Sequence, residues 1–410
     1  MRIGIVGAGA AGMMAAAAIA EKGGQNEAFL IDKNDNLGRK VLLSGGGRCN
    51  ITTSISDIKQ ILQNYPRGKN FLKFAMHNLP PQKLCEWLSG HGLGIKEEAH
   101  NKIFPRSDTG IDVIMVFEKI FKKAHVHIAL ANPVLSIEKT ADKFTLTLQK
   151  GPPLEVDKLI ITTGGRAHRE TGSTGNGYTF AEKFGHTIMS LSPSLHAYEL
   201  GEFWPKSLSG LSFANAKLKF AGTKSYEFSG PFIFTHKGIS GPAVFALSSL
   251  AAYETIGLSK PPIIHIDFLP DKTYEVLTKE ISSALSESTI KTIVNTISRF
   301  IPRSLAETFL NNLVIPQQKK NAEISKKELN KIVELIKNSQ LTVTNRVSGE
   351  EFVTAGGVTL SEVNPKTMES KICKNLYFAG EVLDIDGFTG GFNLQSAWCT
   401  GFLAGESATK

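Results

Sequence analysis

The feature that most constrains this chain is a strand, glycine turn and helix pattern in its first twenty residues. A short apolar segment, residues 1–6, runs into Gly7-Ala8-Gly9-Ala10-Ala11-Gly12 and then into the alanine-rich segment 13–20. In that context GxGxxG is the dinucleotide-binding fingerprint: Gly7 permits a tight turn, Gly9 lets the backbone approach a pyrophosphate, and Gly12 lets the helix pack against the strand. The pattern predicts a Rossmann-like α/β domain with phosphates at the helix N-terminus.

A second apolar segment supports the same fold. Residues 28–31 are apolar and end in Asp32, which follows Gly12 by about the twenty residues at which the fingerprint places a ribose-binding acid. An acid at this position suits an adenosine ribose with free hydroxyl groups.

Length and composition limit the class of protein. The chain has 410 residues, 41% hydrophobic and 20% charged, which favours two or more ordinary globular domains. We find no apolar stretch of about 20 residues, as a membrane span would need, and the N-terminus begins a strand rather than a signal peptide. We therefore expect a cytoplasmic protein. Its four cysteines lack CxxC or zinc-ligand spacing, which argues against a dithiol reductase and predicts no metal site; they are Cys49, Cys85, Cys373 and Cys399.

The net charge of +8 raises the question of nucleic-acid binding, because basic surfaces attract polyanions. Much of the excess is lysine in segments of helical pattern, such as 317–320 and 325–327. No recognised nucleic-acid motif accompanies the charge. A solvated basic surface is therefore the favoured interpretation.

The chain returns to its first domain near its end. Segment 154–163 is predicted to be one strand and 376–381 another, whereas 192–270 is rich in alternating patterns and 271–339 has helical periodicity. These patterns predict a discontinuous nucleotide-binding domain of residues 1–191 and 346–410. A β-rich domain of residues 192–270 and 340–345 interrupts it, together with a small helical domain of residues 271–339.

The C-terminal run 378–397 is the second strong motif. A strand ends in Gly380-Glu381, Asp384 follows, and a glycine pair precedes a helix predicted over 394–403. An aspartate here can bind ribityl hydroxyls of a flavin. The helix N-terminus would favour the negative charge that reduced flavin gathers at its N1/C2=O edge. The alternative is a glycine loop with a solvent-facing acid.

The third motif is Ser44-Gly45-Gly46-Gly47-Arg48-Cys49-Asn50. Consecutive glycines cost conformational entropy, so close backbone approach to a ligand is the natural reason for them. Arg48 could face a phosphate, a flavin or an anionic substrate, or could be a structural arginine bonded to loop carbonyls. Cys49 has no second cysteine or base beside it, which favours packing over reactivity.

These motifs, together with segments 103–107, 234–242, 355–358 and 365–370, resemble the bacterial BaiN-like, aminoacetone-oxidase-type family of FAD-dependent flavoproteins from end to end. The resemblance implies a glutathione-reductase-type FAD-binding domain interrupted by a β-barrel-like domain and a small helical domain. Segment 165–172 departs from the family, because it is basic where members often carry an acid and a proline.

The resemblance also implies a set of residues that contact FAD. They are Gly7, Gly9, Ala10, Ala11, Gly12, Asp32, Lys33, Arg39, Lys40, Ser44, Gly45, Gly46, Gly47, Arg48, Cys49, Asn50, the backbone of Val134, Thr163, Gly164, Gly380, Glu381, Asp384, Gly391, Phe392 and Asn393.

We therefore expect an FAD-dependent oxidoreductase that acts on a small organic molecule by hydride transfer through flavin N5. The sequence offers no second GxGxxG module, so NAD(P)H would bind only transiently, or electrons would arrive another way. Catalytic candidates are His236, as proton donor or substrate ligand, and Arg48 and Arg106 as anion or polarising contacts. A lone histidine is also often structural. An RNA-modifying flavoenzyme and a non-catalytic redox sensor are the rival functions.

Overall fold

The computed structural model describes residues 1–257, 259–347, 349 and 351–410. The chain divides into two compact units, one of Met1–Ser194 with Glu351–Lys410 and the other of Leu195–Glu350. The predicted division into three domains is finer than this one, and its boundaries stay a prediction.

The strands of the described residues are, in chain order, β1 (Arg2–Val6), β2 (Glu27–Ile31), β3 (Thr52–Thr53), β4 (Ile95–Glu98), β5 (Lys102–Pro105), β6 (His127–Ala129), β7 (Val134–Thr140), β8 (Lys143–Leu148), β9 (Leu154–Val156), β10 (Lys158–Ile161), β11 (Ser192–Ser194), β12 (Tyr198–Leu200), β13 (Ser212–Ala221), β14 (Ser225–Phe234), β15 (Gly238–Ser240), β16 (Ile263–Asp267), β17 (Ser339–Arg346), β18 (Val353–Ala355) and β19 (Leu376–Phe378). The α-helices are α1 (Ala10–Lys22), α2 (Arg39–Leu43), α3 (Ile58–Leu62), α4 (Lys73–Asn78), α5 (Pro81–Gly90), α6 (Gly110–Lys123), α7 (Asn176–Lys183), α8 (Trp204–Ser207), α9 (Pro242–Leu250), α10 (Tyr274–Glu287), α11 (Ile293–Ile297), α12 (Arg303–Asn312), α13 (Lys326–Asn338) and α14 (Phe392–Ala408).

A parallel sheet organises the first unit, with strand order β19-β10-β1-β2-β6. Ile5 on the middle strand pairs with Leu30 on one side and Ile160 on the other, and all three side chains are buried. Such apolar strands are expected where helices cover both faces of a parallel sheet. The carboxyl ends of these strands meet at one edge, which is where ligands bind in open α/β sheets.

The first and last helices pack closely in this unit. A Cβ atom on Gly401 would lie 2.3 Å from the carbonyl oxygen of Ala11, and one on Gly405 would lie 2.4 Å from that of Ala15. Glycine at both positions therefore lets α14 approach the backbone of α1. This contact packs the C-terminal helix directly against the N-terminal one.

Two predicted strands are corrected by the structure. Segment 154–163 is not one strand, because β9 pairs antiparallel with β8 whereas β10 enters the parallel sheet. Asp157 separates them: its N–H donates to the Arg2 carbonyl and its carboxylate accepts the Arg2 N–H, both at 2.8 Å. The strand predicted over 376–381 ends at Phe378 and is followed by a 3-10 turn. The last helix is longer than the predicted 394–403.

The second unit contains a closed six-stranded barrel of order β12-β15-β14-β13-β16-β17. Alternate residues of its strands, such as Leu218 and Phe220, or Phe232 and Phe234, are buried, as expected when one face of each strand points into the barrel. The predicted fold class, a Rossmann-like domain interrupted by a β-barrel-like domain and helices, is confirmed. Of the helices that the structure describes, none has the length and apolar character that a bilayer span requires.

Candidate functional site

The turn between β1 and α1 shows why its three glycines differ. Gly7 has φ +109°, and a Cβ there would lie 2.5 Å from the Thr162 carbonyl oxygen. A Cβ on Gly12 would lie 1.8 Å from the Gly7 carbonyl oxygen, whereas one on Gly9 would have no atom within 4 Å. No side chain of the described residues caps α1, and its first turn holds no acid. The helix start therefore has both open space and a positive dipole end for an anionic group.

Asp32 lies beside this turn, at the end of β2. Its Oδ2 accepts the Ala8 N–H at 2.5 Å and its Oδ1 accepts the Asn34 N–H at 2.8 Å. Lys33 donates to the Thr174 hydroxyl at 2.6 Å. Burial lowers the pKa of Lys33, and the adjacent Asp32 carboxylate opposes that shift. The acid predicted to bind ribose is thus fixed in place by the glycine turn itself.

Two basic residues at the start of α2 are also at this edge. Lys40 Nζ lies 2.5 Å from Glu381 Oε2, and Glu381 Oε1 accepts the Thr354 N–H at 2.9 Å. Arg39 donates to the Asn34 side-chain oxygen at 3.2 Å. The structure therefore brings together predicted cofactor residues from both ends of the chain.

The three glycines of the loop 44–50 all adopt left-handed backbone conformations. Gly45, Gly46 and Gly47 have φ values of +60°, +69° and +89°, and a Cβ on Gly46 would have no atom within 4 Å. With its side-chain amide turned to satisfy its neighbours, Asn50 accepts the Gly391 N–H at 3.0 Å and donates to the Thr52 carbonyl at 3.1 Å. The loop is thus tied to the start of α14.

Arg48 is held by carboxylates rather than by loop carbonyls. Its Nη1 lies 2.9 Å from Glu98 Oε1 and 3.2 Å from Asp108 Oδ1, and its guanidinium lies 4.1 Å from the centre of the Phe104 ring. The hydrogen bonds with Glu98 and then Asp108 hold the pKa of Arg48 above its ordinary value. Arg106 follows β5 nearby; it is exposed, and its N–H donates to the Gly94 carbonyl at 2.8 Å.

Cys49 is a packing residue in this structure. Its side chain is fully buried, and burial raises the pKa of its thiol to about 12. A thiol in that state is not the nucleophilic thiolate. The favoured interpretation from the sequence agrees with this placement.

Two predicted cofactor residues carry buried polar atoms that have no hydrogen-bond partner among the described residues, Thr163 Oγ1 and Asp384 Oδ1. Burial raises the pKa of Asp384, and the Asp386 carboxylate adds to that, while Arg67 and the Gly356 N–H oppose it. Buried polar groups are nearly always satisfied. These two atoms therefore indicate a polar ligand.

The loop before α14 is shaped by its own polar groups. Asn393 Oδ1 accepts the Gly387 N–H at 2.8 Å, and its Nδ2 donates back to the Gly387 carbonyl at 2.7 Å. Gly391 has φ +89°, and a Cβ there would lie 2.5 Å from the Thr52 carbonyl oxygen. Helix α14 begins at Phe392 with no side-chain cap and no acid in its first turn, so its N-terminus also favours a ligand with negative charge.

Three further predicted residues are Gly380, Gly164 and Val134. Gly380, with φ +78°, packs against α1, because a Cβ there would lie 2.8 Å from that of Ala11, and its N–H donates to the Thr400 hydroxyl at 3.0 Å. Gly164 follows Thr163 with φ +74°. Val134 is buried at the first position of β7.

These residues fit FAD. FAD would offer a diphosphate to the glycine turn and to the glycine loop, where a Cβ on Gly9 or Gly46 would meet no atom within 4 Å. Its ribose and ribityl hydroxyl groups would suit the Thr163 and Asp384 oxygens, which have no hydrogen-bond partner among the described residues. Gly7, Thr163 and Asp384 come after strands β1, β10 and β19 of the parallel sheet, and ligands bind at the carboxyl ends of such strands. The described residues hold no group of three or more His, Cys, Asp or Glu side chains placed to bind a metal.

His236 belongs to the second unit and lies at the tip of the loop between β14 and β15. It is exposed, and the loop is closed by Thr235, whose hydroxyl accepts the Lys237 and Gly238 N–H groups at 3.3 and 3.1 Å. Its catalytic role stays a prediction.

The sequence reasoning missed four residues that shape the loop carrying Asp384. They are Tyr65, Arg67, Ser194 and Asp386. Asp386 belongs to the C-terminal motif, and an aspartate among buried residues needs a partner; that signal could have been used, although the identity of the partner could not.

Comparison with known proteins gives matches over the whole chain. The model of the HI0933-like protein Rossmann domain matches residues 1–407. The chain is 30% identical over 416 residues to a 3-dehydro-bile acid delta(4,6)-reductase of Clostridium scindens, covering 100% of this chain and 99% of the relative. It is 31% identical over 408 residues to a ribosomal RNA dihydrouridine synthase of Escherichia coli, covering 98% and 96%.

A solved structure has the same fold. The 3-ketosteroid-delta4-(5alpha)-dehydrogenase of Rhodococcus jostii RHA1, in complex with 4-androstene-3,17-dione, aligns with a TM-score of 0.50 at 13% identity, covering 100% of this chain and 96% of that one. At that identity the likeness concerns the fold alone.

Proposed function

Because this chain belongs to the HI0933-like family and is an FAD-dependent oxidoreductase, we propose that it reduces a carbon–carbon double bond conjugated with a carbonyl group in a small organic molecule. The predicted family, enzyme class and cofactor are confirmed by the matches above. The substrate class and the hydride mechanism are the proposed part.

The observation that carries this proposal is the chemistry that two full-length relatives share. A delta(4,6)-reductase of a 3-dehydro bile acid saturates double bonds in conjugation with a ring ketone. A dihydrouridine synthase saturates the uracil double bond in conjugation with a ring carbonyl. The two relatives act on different substrates but reduce the same type of bond. This favours reduction of a conjugated alkene as the reaction of this chain.

The chain's own residues suit that chemistry. When bound, FAD supplies hydride transfer at its N5 atom. The uncapped start of α14, at Gly391 and Phe392, would stabilise negative charge on the reduced cofactor. Asp384 and Thr163 would hold its hydroxyl groups through buried oxygens that have no hydrogen-bond partner in the part of the chain that the structure describes. His236 is proposed to donate a proton to the substrate or to bind its carbonyl, and Arg48 and Arg106 to attract an anionic substrate group.

The experiment is anaerobic reduction of the purified enzyme with NADH or NADPH, followed by mixing with a cyclic enone in a stopped-flow spectrometer. The proposal expects the oxidised flavin spectrum to return, with a product two mass units heavier than the enone. A reduced enzyme that is reoxidised by oxygen but by no conjugated alkene, large or small, would contradict it.

The role of His236 is tested separately in the reoxidation half-reaction. The variant His236→Ala is expected to slow substrate-dependent reoxidation about 100-fold, the usual contribution of a general acid, and to change its pH dependence. His100→Ala, another exposed histidine, serves as the control. An unchanged rate across pH would discard the role.

A second candidate is reduction of uridine in RNA, and the net charge of +8 is the observation that favours it. Exposed lysines are concentrated at the start of α13 and just before it, including Lys320, Lys326, Lys327 and Lys331. Binding of this kind would weaken steeply with salt, because counterions are released from the phosphates. A filter-binding assay with ribosomal RNA, at low and high salt, would remove this candidate if binding were absent or independent of salt.

A further inference from the structure

The segment of residues 64–68, Asn-Tyr-Pro-Arg-Gly, lies against the loop that carries Asp384. The Asn64 carbonyl accepts the Phe388 N–H at 2.9 Å, and the Tyr65 hydroxyl donates to the Phe392 carbonyl at 2.6 Å. We call residues 64–68 the strap. It contacts the loop at both ends, although more than 300 residues separate them in sequence.

The strongest link is between Arg67 and Asp386, which also form an isolated β-bridge. Arg67 Nε faces Asp386 Oδ1 and Nη2 faces Oδ2, so the pair is bidentate. Ser194 donates to the same carboxylate at 2.7 Å. Asp386 is 0% exposed, and a carboxylate buried so completely is stable only when paired and hydrogen-bonded.

The same arginine acts on Asp384, two residues earlier. Among the described residues, the charged side chains that act on Asp384 are Arg67 and Asp386, and the Gly356 N–H donates to it. Burial and Asp386 favour the neutral carboxyl, whereas Arg67 and Gly356 favour the carboxylate. Of these two charged side chains, Arg67 is therefore the one that favours the ionised form of Asp384.

We propose that Arg67 is a positioning residue for FAD, because through its bidentate pair with Asp386 it holds the loop of residues 384–391 in shape. Its positive charge also favours the carboxylate form of Asp384, which can accept hydrogen bonds from the cofactor. The proposal depends on the cofactor and not on the identity of the substrate. Nothing in it requires Arg67 itself to touch FAD.

The test is FAD affinity of the apoprotein, measured by quenching of flavin fluorescence between pH 6 and pH 8. In Arg67→Gln, which keeps a donor for Asp386 but has no charge, affinity should fall about tenfold, equal to about 1.4 kcal/mol. The loss should grow as the pH falls, because Asp384 would take up its proton at a higher pH. Wild-type affinity should vary less over the same range.

Arg67→Lys separates charge from structure, because lysine keeps the charge and loses the bidentate geometry. Its affinity should be reduced, with the shallow pH dependence of the wild type. Arg303→Met, an exposed arginine of α12, is the matched surface control, and circular dichroism of each apoprotein checks folding. If Arg67→Gln does not fold, the test rests on Arg67→Lys, and an FAD affinity of Arg67→Lys equal to that of the wild type would overturn the proposal. Where both fold, it is overturned by a wild-type pH dependence in Arg67→Gln or by equal losses in both variants at every pH.

Discussion

Lys40 and Glu381 form an ion pair of 2.5 Å between residues 341 positions apart in sequence. Both side chains are largely shielded, at 24% and 19% exposure, and both are predicted FAD contacts. The pair therefore connects the N-terminal and C-terminal cofactor motifs across the edge of the parallel sheet.

Replacing Lys40 by Met is expected to weaken FAD binding by a factor of about 10 to 100, because loss of a charged hydrogen-bond partner costs about 1.5–3 kcal/mol. Among the described residues, the Thr354 N–H would then be the remaining hydrogen-bond donor to Glu381. FAD titration of the apoprotein measures the effect, with Lys143→Met, an exposed lysine at the first position of β8, as control. Equal affinity of both variants would show that the pair does not support the cofactor site.

Stability should fall in mild acid because of His196. This side chain is 1% exposed, and burial lowers its pKa from 6.5 to about 4. Below pH 6.5 the unfolded chain binds a proton at this histidine, whereas the folded chain does not. The free energy of unfolding is therefore at its full value above pH 6.5 and decreases as the pH falls toward 4. The loss amounts to about 3 kcal/mol at the lower limit.

Denaturant unfolding at pH 7.5, 6 and 5 tests this expectation. His196→Gln should flatten the pH dependence without abolishing it, because burial also lowers the pKa of His186. The exposed His100→Gln should retain the wild-type profile. A profile for His196→Gln identical to wild type would remove His196 as the cause.

Val314→Gly is expected to stabilise the protein. Val314 has φ +56° and is 88% exposed, and it follows α12 where the Ile315 N–H donates to the Leu310 carbonyl at 2.9 Å. This is the left-handed position at a helix end that glycine prefers. Relief of strain in a β-branched residue should add about 1 kcal/mol to the free energy of unfolding.

The matched control is Val276→Gly, another exposed valine, within α10. Glycine in a helix costs conformational entropy, so about 0.5 kcal/mol of stability should be lost there. Thermal and urea unfolding would measure both variants. A destabilised Val314→Gly would contradict the assignment of strain at this residue.

The buried cysteines should resist alkylation in the native protein. Burial raises the pKa of both Cys49 and Cys399 to about 12, so neither provides a thiolate near neutral pH. Mass spectrometry after iodoacetamide treatment at pH 8 should find both unmodified, and both modified in concentrated guanidinium chloride. Rapid alkylation of Cys49 in the native protein would show that its thiol is reactive and would contradict the prediction.

Local patterns explain which parts of the structure the sequence could predict. The N-terminal motif could be predicted because its strand β1, its turn from Gly7 to Gly12 and its helix α1 follow one another directly in the sequence. Asp157 shows the limit: the apolar residues on both sides of it look like one strand, and only their different pairing partners separate them. Likewise, the glycine loop predicts close approach to a ligand, but not that Arg48 would pair with Glu98 and Asp108.

Long-range pairing explains what was missed at the site. Asp386 stands in the C-terminal motif, yet its partner Arg67 lies 319 residues earlier in a segment with no motif of its own. A bidentate ion pair depends on which distant segments lie next to each other in the fold. Neither the periodicity nor the spacing of residues along the chain predicts that. The contacts of Tyr65 with Phe392 and of Ser194 with Asp386 could not be predicted for the same reason.

The most direct test of the cofactor site is the FAD affinity of Gly9→Ala compared with Gly90→Ala. A Cβ at either position would meet no protein atom within 4 Å, and the backbone of Gly9, at φ −77° and ψ −169°, is accessible to alanine. Both variants should therefore fold normally. We expect Gly9→Ala to bind FAD at least about tenfold more weakly, about 1.4 kcal/mol, because the added methyl group occupies the space meant for the pyrophosphate, while Gly90→Ala binds as the wild type does. Wild-type affinity in Gly9→Ala would contradict the placement of FAD at the start of α1.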